Sequence, residues 1–182
     1  MARTGLAQGW RCLFANDMDE KKTAAYRANF NDATELTVCD VATLTVDDLP
    51  GVADLAWASF PCQDLSLAGQ RGGLGAERSG AFWPFWRLIQ GLMHENRAPS
   101  LIVLENVCGA LTSHDGQDFM AIARTFTEAG YRFGALVIDA VYFLPQSRPR
   151  LFIIGAGPDM HIPSEIKSPA PHTLWHPGAV RQ

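Results

Sequence analysis

The 182-residue chain has no apolar run approaching the ~18 residues that a membrane-spanning helix needs. Its opening, Met1-Ala2-Arg3-Thr4-Gly5, lacks the apolar stretch of a secretory signal. Both absences make a cytosolic protein the expectation. No CxxC pair occurs: Cys12, Cys39, Cys62 and Cys108 are far apart, which argues against a zinc site. In a reducing compartment they are expected as free thiols. His172 and His176 stand four apart, but Pro171 and Pro177 exclude the helix that would align them, so no metal is expected. Positive charge is not in excess, with 15 Lys and Arg against 19 Asp and Glu, a net charge of -4. The composition therefore supports no general basic face for nucleic acid. A local groove stays open, because Arg71, Arg78, Arg148 and Arg150 all fall in loops. There are no internal repeats.

With 47% hydrophobic and 19% charged residues, the composition suits one globular domain with a real core. Strands are predicted at 11–16, 34–38, 54–59, 101–104 and 151–155, and one or two more between Tyr131 and Phe143. Helices are predicted from Asp19, as N-cap, to Asn29; from 81 to 96, with Pro84 in the first turn; and from Asp115 to Ala129, closed by Gly130. Residues 60–80 read as a glycine-rich loop long enough to be functional. Trp10, Trp57, Cys12 and Cys39 read as packing residues, as do Trp83, Phe85 and Trp86. Strands alternating with helices imply an α/β fold with a doubly wound, mostly parallel sheet.

Two strands end in reactive groups. Phe60-Pro61-Cys62-Gln63 follows the run 53–59, and Glu105-Asn106-Val107 follows Leu101-Ile102-Val103-Leu104. In open α/β sheets the ligand crevice lies beyond the carboxyl ends of the strands. A thiol and a carboxyl group facing one crevice form a recognisable pair for covalent catalysis. Asp17, after an early strand, stands where nucleotide-binding folds hold ribose hydroxyls.

Six segments, in order, carry a resemblance. They are Asn16-Asp17-Met18-Asp19, Cys39-Asp40-Val41, Phe60-Pro61-Cys62-Gln63, Arg78-Ser79-Gly80, Glu105-Asn106-Val107, and Gln146-Ser147-Arg148-Pro149-Arg150 with Leu151-Phe152-Ile153-Ile154-Gly155. Together they resemble the DNA cytosine-5 methyltransferases, which use S-adenosylmethionine and have a Rossmann-like fold. The resemblance implies Cys62 as the nucleophile that adds to carbon 6 of a cytosine flipped out of DNA. It implies Glu105 as the group at ring nitrogen 3 and the exocyclic amine, protonated through burial. Arg150 would bind the ring carbonyl, and Arg148 would help hold the base or backbone. Asp17, Met18, Asp40, Val41, Phe60, Pro61, Ala81 and Phe82 would hold the cofactor. Gln63, Ser66, Arg71, Arg78, Asn106 and Gln146 would contact the substrate. A bacterial-type protein of a restriction–modification system, associated with the nucleoid while on DNA, is implied.

The family opens with a strand and a Phe-x-Gly-x-Gly turn, whereas residues 1–6 resemble the helix after that turn. The family also continues into a target-recognition region, whereas residues 156–182 form a proline-rich tail or linker. The expectation is thus a partial catalytic domain over 1–155: the middle of a longer enzyme, or one half of a split enzyme completed by a complementary chain. Alternatives are a transfer-RNA cytosine-5 methyltransferase and an inactive remnant. A cysteine hydrolase would need a histidine base near Cys62, and only His94 and His114 precede the tail's proline-rich segment.

Overall fold

The computed structural model describes residues 2–6, 8–31, 33–60, 81–167, 170 and 174–176. The described residues fall into two units, one drawn from 1–53 and 83–98, the other from 54–82 and 99–182.

The first unit is built on a parallel pair of very short strands, β1 (Ala15–Asn16) and β2 (Leu36–Thr37). Between them runs α2 (Glu20–Asn29), following the small helix α1 (Ala2–Leu6). Asp19 caps α2 as the sequence predicts: its side chain accepts the Lys21 amide at 2.8 Å and the Lys22 amide at 3.3 Å. Arg3 ties α1 down, donating to the Tyr26 hydroxyl and to Glu35. Tyr26 also donates to Glu35 at 2.7 Å. Burial pushes the Glu35 carboxyl up, but the Tyr26 and Arg3 bonds outweigh it and hold it below its ordinary value. Most of α3 (Phe82–His94) belongs here too. Its Gly91 packs so closely on Val46 that a Cβ would lie 2.4 Å from Val46 Cγ1.

The predicted strands 11–16 and 34–38 are cut to two residues each. Only Ala15 with Leu36 and Asn16 with Thr37 pair; beyond them the contact is limited to the Ala15 amide on the Glu35 carbonyl at 2.9 Å and the Asp17 amide on the Thr37 carbonyl at 3.4 Å. Trp10, expected to pack, is 47% exposed.

The second unit is a four-stranded sheet in the order β3-β4-β6-β5, from β3 (Leu55–Ser59), β4 (Leu101–Asn106), β5 (Arg132–Asp139) and β6 (Pro149–Ala156). β3 and β4 are parallel, and β6 runs against both β4 and β5. Three strands therefore point one way and one is reversed. The stretch from Tyr131 to Phe143 resolves into one strand, ended at Asp139 by a 3₁₀ turn over Ala140–Tyr142. α4 (Gln117–Glu128) packs on the sheet. It starts two residues later than predicted, because His114 and Asp115 adopt φ of 48° and 56° and Gly116 follows at 81°. Left-handed residues cannot continue a right-handed helix. Gly130 closes α4 at φ 78° as predicted.

Side chains alternate between the faces of a sheet, and the register assigns them here. One face carries Ile102, Leu104, Leu151 and Ile153, each at most 2% exposed. α4 covers this face through Phe126, itself fully buried. A Cβ on Gly155 would lie 2.2 Å from Phe126 Cε1. Gly155→Ala is therefore expected to cost about 1–3 kcal/mol through overpacking, read as a lower urea midpoint. An unchanged midpoint would contradict this packing.

The tail is anchored where it is described. The Val137 amide donates to the Trp175 carbonyl at 2.8 Å, and the Trp175 ring lies 5.4 Å from that of Tyr142.

Candidate active site

The other face of the four-stranded sheet holds the reactive groups. Register places Ser59 of β3 directly opposite Glu105 of β4, and Glu105 opposite Phe152 of β6. Trp57, two residues before Ser59, shares this face, and its ring lies 6.1 Å from that of Phe152. Arg150, two residues before Phe152, shares it as well. The carboxyl end of β4 thus brings an acid and a guanidinium to one face, as the sequence anticipates for Glu105 and Arg150.

Glu105 is half-buried. Its Oε2 accepts the Ser59 hydroxyl at 2.9 Å, and the Ser59 oxygen accepts Trp57 Nε1–H at 3.4 Å. Oε1 accepts no hydrogen bond from a described residue. Asn106, expected to touch substrate, is 7% exposed: its Oδ1 accepts the Val107 amide at 2.8 Å, and its buried Nδ2 has no partner among the described residues. Cys108 follows on the next turn. Burial pushes its thiol up, and Arg150 offsets this only in part. A thiol raised in this way stays protonated at neutral pH and is a poor nucleophile.

The loop carrying Gln146 and Arg148 is organised by Asp139, which sequence reasoning missed. Its Oδ1 accepts the Arg148 amide at 2.6 Å and the Val141 amide at 3.1 Å, and its Oδ2 accepts the Ser147 hydroxyl at 2.8 Å. An aspartate ending a strand before a short turn is a recognised turn signal, and it could have been read. Arg148 itself is exposed, and Arg150 Nη1 donates to the Pro149 carbonyl at 2.8 Å. Burial pushes Asp139 up, but the two amides and the Ser147 hydroxyl outweigh it, so it sits below its ordinary value. A depressed carboxyl stabilises the fold above its unfolded pKa of about 3.9, and that contribution is lost as pH falls through the lower folded value. Hydrogen exchange at the Arg148 and Val141 amides should accelerate across that acid window ahead of the β4 amides. Simultaneous loss of protection in loop and sheet would contradict this.

Phe60 and Phe82 are buried against each other, with ring centroids 5.8 Å apart at 51°. Ala81 is half-buried beside them in sequence. Of the remaining expected residues, Pro61, Cys62, Gln63, Ser66, Arg71 and Arg78 lie outside the described residues.

In the first unit, parallel β1 and β2 bring Asp17-Met18 and Asp40-Val41 to the same strand ends. Asn16 ties those ends together, its Nδ2 donating to the Thr37 carbonyl at 3.1 Å and the Cys39 carbonyl at 2.9 Å. Asp17 Oδ1 accepts the Asp19 amide and Asp40 Oδ1 the Ala42 amide, both at 2.9 Å. Each aspartate thus serves as a turn cap with one oxygen. The second oxygen of Asp40 has no hydrogen bond from a described residue. Met18 is 68% exposed. Among the described residues there is no cluster of three metal-ligating side chains, and no helix is long and apolar enough to cross a membrane.

The α/β arrangement, with its sheet of one reversed strand, is the Rossmann-like fold of solved methyltransferases. The family profile described as C-5 cytosine-specific DNA methylase matches residues 2–177, and the chain belongs to that family. The type II methyltransferase M.BsuFI of Bacillus subtilis is 32% identical over 153 residues, covering 84% of this chain and 35% of the relative. The type II methyltransferase M.HhaI of Haemophilus parahaemolyticus is 28% identical over 167 residues, covering 91% and 48%. Among solved structures, the Dnmt2 methyltransferase of S. pombe superposes with a TM-score of 0.66 at 21% identity, over 88% of this chain and 48% of that one. The chain therefore spans between about a third and a half of the relatives it matches.

Proposed function

We propose that this chain carries the catalytic part of an enzyme that transfers a methyl group to carbon 5 of cytosine in DNA. The observation that carries this reading is Glu105, held at the end of β4 with one oxygen bonded to Ser59 and the other without a partner among the described residues, on the face shared with Arg150. A carboxyl group and a guanidinium suit ring nitrogen 3 and the ring carbonyl of a pyrimidine.

Cytosine carbon 5 is a poor nucleophile. The Cys62 thiolate adds to carbon 6, and hydrogen bonding from Glu105 to nitrogen 3 draws off the developing charge. Carbon 5 becomes enamine-like and takes the methyl group. Loss of the carbon 5 proton to a base then expels the Cys62 thiolate and restores the ring. Arg150 holds the ring carbonyl while Arg148 steadies the base or backbone. The target must leave the stack, which costs a few kcal/mol. Gln63, Ser66, Arg71, Arg78, Asn106 and Gln146 complete the substrate contacts.

S-adenosylmethionine supplies the methyl group when bound. The fit rests on Asp40, whose second oxygen accepts no hydrogen bond from a described residue and suits the adenine amine, and on Asp17, whose carboxylate suits the ribose hydroxyls. Exposed Met18 and half-buried Val41 offer apolar surface beside them. By the family resemblance, Phe60, Pro61, Ala81 and Phe82 are cofactor residues as well. Residues 1–155 form the catalytic portion and residues 156–182 its tail.

The test is expression from the native locus, adjoining reading frames included, in a host free of cytosine methylation. Bisulfite sequencing should reveal 5-methylcytosine in a fixed DNA context. Methyl label in transfer RNA alone would replace DNA as the acceptor, and label in neither would overturn the reading.

A further inference from the structure

Ser59 plays no part in the roles assigned above, yet its hydroxyl donates to Glu105. The contact is built into the sheet: β3 and β4 are parallel and in register, so positions 59 and 105 are direct partners on one face. Trp57 lies two residues earlier on that face.

The direction of the chain follows from donor chemistry. An indole N–H only donates, so Trp57 Nε1 gives its hydrogen to the Ser59 oxygen. The serine hydrogen is then directed at Glu105 Oε2, 2.9 Å away. An oxygen that accepts this bond is poorly placed to carry the acid proton itself. Oε1, which receives no hydrogen bond from a described residue, is the oxygen left to carry it.

We infer that Ser59 is a positioning residue for Glu105, its hydroxyl oriented by Trp57 so that Oε2 is held as an acceptor and the proton bound for the substrate is carried on Oε1. The inference rests on the proposed role of Glu105 as the acid at ring nitrogen 3. In the empty site the serine hydroxyl fixes the rotation of the carboxyl group. On docking of the ring, the proton is taken up at Oε1 and Oε2 keeps a lone pair for the exocyclic amine. Among the described residues, register places two positively charged side chains on this face, Arg150 of β6 and, at the far end, Arg132 of β5. β3 contributes Leu55, Trp57 and Ser59, all neutral, and β5 places Ile138 opposite Arg150. The Cys108 thiol, on the turn after β4, feels Arg150 and Asp139.

The experiment is a ¹³C NMR titration of the Glu105 carboxyl in the full chain, with the signal assigned by its loss in Glu105→Gln. It needs neither DNA nor cofactor, so its outcome is separate from that of the proposed methyl transfer. A donor to the ionised form lowers a carboxyl pKa, so Ser59→Ala should raise the midpoint. Ser59→Thr, which keeps the hydroxyl and suits a strand, should restore it. Trp57→Phe should shift it the same way by less, because the hydroxyl then loses its orienting donor. A midpoint that stays put or falls in Ser59→Ala would overturn the inference. A fall would mean that the serine accepts from a proton on Oε2. Failure of threonine to restore the midpoint would also overturn it, leaving only a packing effect. Should Ser59→Ala lose its native amide spectrum, Trp57→Phe and Ser59→Thr carry the same test: an unshifted midpoint in the first, or a shifted one in the second, counts against the inference.

Discussion

Replacing Cys62 by alanine is expected to abolish methyl transfer while cofactor binding survives. The argument starts from the substrate. Carbon 5 of cytosine becomes nucleophilic only after something adds to carbon 6, and a thiolate is the side chain suited to reversible addition. The chain has four cysteines. Cys12 and Cys39 belong to the first unit, where Cys12 Sγ lies 3.7 Å from the Tyr26 hydroxyl and Cys39 Sγ takes a hydrogen from Asn16. Cys108 is near Arg150, but burial holds its thiol protonated. The family resemblance puts the nucleophile at Cys62, which follows Pro61 in the sequence. Product formation by Cys62→Ala, measured as tritiated methyl incorporated into DNA, should fall to background. Cys108→Ala should retain transfer. The reverse pattern would move the nucleophile.

The second large effect is at Glu105. Glutamine there keeps the shape, can accept the Ser59 hydroxyl with its carbonyl and can donate to nitrogen 3 with its amide. It cannot deliver a proton. Substrate binding should therefore persist while turnover drops by about 10²–10⁴, the usual contribution of a positioned acid or base. Glu105→Ala should lose binding as well, because nothing then faces the exocyclic amine. A glutamine variant with higher KM and unchanged kcat would mean that Glu105 only binds.

The reading from sequence succeeded where local chemistry decides. Asp19 as an N-cap, Gly130 as the stop of α4 and the apolar run before Glu105 each follow from side-chain type and spacing, and the structure has all three. It fell short where the outcome depends on partners remote in the chain. β1 and β2 are two residues long because a strand extends only as far as its neighbour does. The left-handed pair His114-Asp115 is stabilised by bonds from Ser113 and His114 to buried Asp118, which no periodicity would show. The same holds in the site. Glu105 and Arg150 were legible as strand-end residues, but the Ser59 contact exists only through the register of two strands separated by more than forty residues. Asp139 lay between: its turn signal was visible, its grip on Arg148 was not.

The most direct measurement is a trap with DNA carrying 5-fluorocytosine at the methylated position. Fluorine cannot leave as the proton does, so the enzyme arrests after methyl transfer with its nucleophile still on carbon 6. Peptide mapping of the locus-expressed enzyme should place the adduct on Cys62, and Cys62→Ala should form none. An adduct on another residue, or methylation of ordinary cytosine with no adduct on the fluorinated base, would contradict the account.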